Sequence, residues 1–161
     1  MRSITVAAVL TLAAAAASAA GTVNVTFVEP EKYYDAGNSK REEPENLKIL
    51  EQFLQQLGQR YLPDGQMLNI RVLDVDLAGY LKPSRRTGDM IRIARGGADW
   101  PRITVRYELV ANGQTLKKGD EAIADLNYAR HGQSYANRDP LRHEKQMLEG
   151  WFRMHFTGDY Q

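Results

Sequence analysis

Asp74 and Asp76 sit one residue apart in a β-branched, apolar stretch, and their spacing is the clearest chemical signal in the chain. Residues i and i+2 of a strand point to the same face. Two carboxylates so placed could share a metal ion or divide acid–base work. A D-x-D without further ligands is a weak metal signal, because hard cations take several oxygens at once. The competing role is structural, with the two acceptors pinning the end of a strand, and the balance favours it. Arg102 is the expected partner. It follows Pro101 at a strand start, where a planar five-donor group can clamp a carboxylate. Asp74, Asp76 and Arg102 are therefore expected to form a buried polar cluster.

Other catalytic constellations are thin. With no Cys there is no thiol nucleophile, Cys-ligated zinc, Fe–S cluster or disulfide. His143 and His155 lie on one predicted helix, about 18 Å apart along its axis, and cannot share an ion. His143-Glu144 is not H-E-x-x-H, because Met147 stands where the second His belongs. Outside the N-terminal leader described below, the serines are Ser39, Ser84 and Ser134, and none sits in G-x-S-x-G. Gly96-Gly97 lacks the spacing of a phosphate-cradling loop. No catalytic residue, metal or cofactor is assigned. The enzymatic alternative is a small hydrolase or metal-assisted enzyme using Asp74 and Asp76, with His131 as a third group.

Binding residues stand out more. Lys82 to Arg106 holds seven Lys/Arg against two Asp. Arg85, Arg86 and Arg95 form its loop portion, suited to an anionic envelope polymer or an acidic protein face. Tyr33, Tyr34 and Trp100 flank predicted loops, as do Tyr80, Tyr128 and Tyr135, and can serve as contact residues or as plugs closing the sheet.

These residues must be carried by a small set of elements. Val23, Val25 and Phe27 alternate as a strand. Leu47, Leu50, Leu54, Leu57 and Tyr61 form a helical stripe after Pro44. Met67 to Leu77 is strongly β-like but changes phase. Either a bulge near Val72-Leu73 restores its apolar face, or the strand is buried on both sides. Met90–Ile93 is a candidate edge strand and a candidate homodimer contact. Ile103 to Leu109 alternates, Asn112-Gly113 predicts a hairpin, and Gly119 is a candidate bulge in the return strand. Asp139-Pro140 opens a last helix ending near Phe156. The expected order is β-α-β-(β)-β-β-α. This is an α+β two-layer sandwich with a mainly antiparallel sheet of four to five strands and two helices. Its core is expected to hold Leu50, Leu54, Leu57, Val105, Tyr107, Leu148, Trp151 and Phe152.

The 161 residues divide into a predicted signal peptide, 1–20, and one domain, 21–161. Arg2, an apolar run and Ala17-Ser18-Ala19-Ala20 follow the order of a secretory leader, cut after Ala19 or Ala20. Removing it leaves 141 residues with 20 basic and 20 acidic side chains. That neutral balance speaks against a nucleic-acid binder. No other stretch has membrane-spanning length.

The chain resembles an exported bacterial family known as domain of unknown function 3016. The resemblance runs through Thr26–Gly37, Tyr61–Gly79, Asp99–Leu109, Asp125–Tyr128 and Asp139–Phe152. Members often carry Tyr where this chain has His143, which argues against a shared catalytic role for His143. The resemblance implies the fold and export but no activity. The expectation is a periplasmic or secreted, non-enzymatic accessory domain that binds an envelope protein or an anionic polymer. Its expected surface is Gly79–Trp100 with Tyr33 and Tyr34.

Overall fold

The computed structural model describes residues 20–130, 135 and 138–157, so the predicted leader up to Ala19, His131 and Ser134 lie outside the described residues. The elements run β1 (Thr22–Phe27), α1 (Glu42–Tyr61), β2 (Gln66–Asp76), β3 (Tyr80–Pro83), β4 (Met90–Ile93), β5 (Arg102–Ala111), β6 (Gln114–Ala124) and α2 (Arg142–Phe156). The architecture is α+β, as expected. The main sheet has the order β1-β2-β5-β6, with β1 parallel to β2 and the other pairs antiparallel.

The phase change in β2 is a bulge. Pairing with β5 slips between Val72 and Asp74, leaving Leu73 as the extra residue. Leu68, Ile70 and Val72 therefore share the inner face with Val75 and Leu77, and all five are buried. The slip also turns Asp74 and Asp76 away from the core. A second slip corrects the expectation for Gly119. The extra residue in β6 is the exposed Leu116, because Leu109 faces Lys117 while Val110 faces Thr115. Gly119 instead makes room for Tyr107, whose hydroxyl oxygen and ring carbons would lie 3.1–3.2 Å from any Cβ there.

Both helices contribute to one core with the inner sheet face, and every residue expected there is buried. Phe152 is fully buried, with Trp151 and Phe156 edge-on to it or to one another. The helix starts differ by two residues from expectation. α1 opens at Glu42, with Ser39 accepting from the Glu42 amide. α2 opens at Arg142, and Asp139 accepts from the Leu141 amide just before it. The Asn112-Gly113 turn has φ of 52° and 75°, the left-handed pair that a two-residue hairpin needs.

Met90–Ile93 is not an edge of the main sheet. It pairs with Tyr80–Pro83 in a separate two-stranded antiparallel ribbon. The intervening segment is a tight turn in which Ser84 accepts from the Gly88 amide. Among the described residues, no helix is long and apolar enough to cross a membrane.

Candidate functional site

The β3–β4 ribbon is the element that organises the site. Its base is set by Gly79, with φ of 91° and its amide donating to the Asp99 carbonyl at 2.8 Å. A Cβ at Gly79 would lie 2.6 Å from the Ile93 carbonyl oxygen, so only glycine fits. The ribbon is tied down by Arg92. Its guanidinium grips Asp35 through two bonds, of 2.9 and 2.6 Å, and donates to Asn38 at 3.1 Å. Asp35 in turn extends the end of β2. Its amide donates to the Val75 carbonyl, its carbonyl accepts from the Leu77 amide, and it bridges to Asp76. The result is a wall formed by the ribbon, the Asp35–Asn38 segment and the Ala78–Gly79 turn.

A cleft of about 700 Å³ lies on the β3 side of that wall. Tyr34 (78% exposed), Tyr80 and Trp100 present aromatic surface there. Asp35, Glu43, Asp76 and Asp99 supply four carboxyl groups against one lining guanidinium, Arg102. Arg102 reaches Asp76 at 3.2 Å, the partner expected, but the side chains are 43% and 22% exposed, so the pair is not the buried cluster anticipated. Asp74 does not join them. Its Oδ1 accepts from the Tyr34 amide at 2.9 Å and so positions the tyrosine pair. Burial pushes the Asp76 carboxyl above its ordinary 3.8, and Asp35 and Asp74 push the same way against Arg102. Burial, with Asp74 and Glu31 nearby, also drives the Tyr33 hydroxyl up to about 12. That hydroxyl donates to the Val72 carbonyl, so Tyr33 serves as a strut.

On the β4 side lies a second cleft, of about 650 Å³, bounded by β4 and the start of α2. Arg92, Arg95, Arg142 and His143 line it, with Glu42 as its one carboxylate among the described residues. Burial, with Arg142 beside it, holds the His143 imidazole below its ordinary range.

Beneath the wall sits Glu144, which is 2% exposed. Its Oε1 accepts from the Ala78 amide at 2.7 Å, while Oε2 is buried with no hydrogen-bond partner. Burial raises its affinity for a proton. A carboxyl in the first turn of a helix reads from sequence as a dipole partner in water. Only the packing of α2 against Ala78 makes it a buried prop.

Several other expectations are relocated. Arg85 and Arg86 occupy the exposed turn of the ribbon and line neither cleft. Arg95 lines the β4-side cleft, whereas Trp100 lines the other. Tyr128 is buried, its hydroxyl accepting from the Gly96 amide, and Tyr135 donates to Glu149, so both are plugs. Sequence reasoning missed Asp35, Arg92, Asp99 and Glu144. A hint existed for one of them, since Arg92 interrupts an otherwise apolar Met90–Ile93. Among the described residues, no group of three or more His, Cys, Asp or Glu is arranged to hold a metal ion.

A family model described as "Protein of unknown function (DUF3016)" matches residues 21–154. Searches of curated proteins and of solved structures find no match.

Proposed function

The chain belongs to the DUF3016 family of proteins of unknown function, and we propose that it is a non-enzymatic, exported binding domain of the bacterial envelope. Its ligand is a basic segment of a protein partner, held in the β3-side cleft. The observation that carries this reading is the pairing of exposed aromatic faces with an excess of carboxyl groups in one concave site. Tyr34, Tyr80 and Trp100 can stack on an ammonium or guanidinium, while Asp76 and Asp99 accept its hydrogen bonds. An anionic polymer is a poor occupant of this cleft, because Arg102 is paired with Asp76, Asp35 is paired with Arg92, and Glu43 and Asp99 still add carboxyl groups to the lining.

The test is capture of partners from a native periplasmic extract, followed by titration of the captured segment as a synthetic peptide. Trp100→Ala is expected to weaken that peptide by about tenfold or more without lowering the melting temperature. Affinity should fall as salt rises. Capture that Trp100→Ala and Asp76→Asn both leave unchanged would refute the reading.

A further inference from the structure

The main sheet ends on β6 with an edge that neither cleft uses. We propose that this edge pairs antiparallel with β6 of a second copy of the chain, joining the two four-stranded sheets across a two-fold axis at Gly119.

Three observations converge. The first is a free edge. β6 is 11 residues long and pairs with β5 on one side only. Among the described residues, no backbone hydrogen bond reaches its other side. Such a row of donors and acceptors is a template for another strand.

The second is charge. Lys117-Lys118-Gly119-Asp120-Glu121 mirrors its signs about Gly119. Two lysines alone would repel a second strand and protect the edge. With Gly119 set opposite Gly119 of the second copy, Lys118 falls opposite Asp120 and Lys117 opposite Glu121, and symmetry makes each pair twice. The opposed residues also share a face. Lys118 and Asp120 stand beside Glu108 and Arg106 on the outer face, while Lys117 and Glu121 stand beside the buried Leu109 and Val105. Lys118 is exposed and has no partner among the described residues. Asp120 is held only by the exposed Arg106, and its carboxylate can accept a further donor. A parallel pairing in the same place would set lysine against lysine.

The third lies on α2 and is independent of the strand. An open groove of about 480 Å³ runs between β6 and α2, lined by Ala122, Ile123, Gly150, Trp151 and Met154. Gly150 is exposed, and a Cβ there would meet nothing within 4 Å. Nothing inside the chain therefore requires glycine in the middle of this helix, where it is less favourable than alanine. A close approach from outside supplies the reason. Gln146, Gly150 and Met154 recur every four residues along the groove, on one face of the helix. Met154 and Leu116 are 61% and 54% exposed and add apolar surface to the contact. In the proposed register, Leu116 of the second copy falls opposite Ala122 at the groove.

The test is the mass of the purified chain in solution, by sedimentation equilibrium from micromolar to millimolar concentration. A reversible dimer is expected. Lys118→Glu sets a carboxylate against Asp120, and Asp120→Lys sets an ammonium against Lys118. Each should raise the dimer dissociation constant about tenfold or more. Mixing the two variants restores opposite signs at both positions, and a heterodimer of near-parent affinity is expected. Gly150→Leu, for which the chain alone has room, should give a folded monomer with an unaltered circular dichroism spectrum. A chain that stays monomeric throughout overturns the proposal, even where the edge takes a strand of another protein. So does a dimer that Lys118→Glu and Gly150→Leu leave intact, or a pair of charge variants that stay apart when mixed.

Discussion

On the β3 side of the ribbon, Asp76, Asp99 and Glu43 face Tyr34, Tyr80 and Trp100. On the β4 side, Arg95 and Arg142 face His143, Met90 and Ile91. The two clefts are nearly equal in volume and share one wall, yet their charge is opposite. The boundary between them is a single ion pair, since Asp35 lines one cleft and Arg92 the other. A chain whose predicted exported form is formally neutral thus separates its charge across a ribbon two strands wide. Net charge describes the far field, while recognition depends on where the charges sit.

The harshest way to break the comparison is to remove its support. Phe152→Ala empties a fully buried site between α2 and the sheet. A loss of about 3–5 kcal/mol is expected, read by urea unfolding, with both clefts failing together. Arg92→Met cuts the boundary itself. It leaves Asp35 partly buried without its cation, at about 1–3 kcal/mol, and should weaken peptide binding in the β3-side cleft. If peptide binding does not respond, the shared wall is not what holds that cleft.

A subtler probe is Glu144. Burial raises its folded-state pKa above the ordinary 4.5, so the folded chain binds more protons than the unfolded one. Its contribution is most favourable below pH 4.5 and is lost as pH rises through the raised value. Glu144→Gln should flatten that decline, by at most about 1.4 kcal/mol per pH unit, when stability is followed from pH 4 to 8. A profile that matches the parent would refute the assignment. The smallest effect is expected at the ribbon turn. Arg85→Ala with Arg86→Ala should stay within about 0.5 kcal/mol of the parent and leave peptide binding unaltered, since neither side chain lines a cleft. A loss of peptide binding there would move the contact surface to the turn.

The Asp76–Arg102 pair was legible because a D-x-D at a strand end and an Arg at the start of another strand are short-range signals. Tyr33, Tyr34 and Trp100 were legible as loop aromatics, but not the split that makes Tyr33 a strut and leaves Tyr34 free. Arg85, Arg86 and Arg95 looked like one basic surface because they are close in sequence. The ribbon folds back on itself, so two of them go to its tip and the third to the β4 side. Arg92 and Asp35 are 57 residues apart, and nothing local in either position announces the other.

What the sequence determined by itself was periodicity and punctuation. Helical stripes, strand alternation, the Asn112-Gly113 turn and the phase slip in β2 are near-neighbour effects, written in side-chain size and backbone preference. Tertiary structure decided the rest. Detaching β3 and β4 from the main sheet, burying Glu144 beneath Ala78 and sorting carboxyl groups from guanidiniums into separate clefts all depend on contacts between distant segments. Those contacts form only when burial of the common core outweighs the entropy of closing the intervening chain.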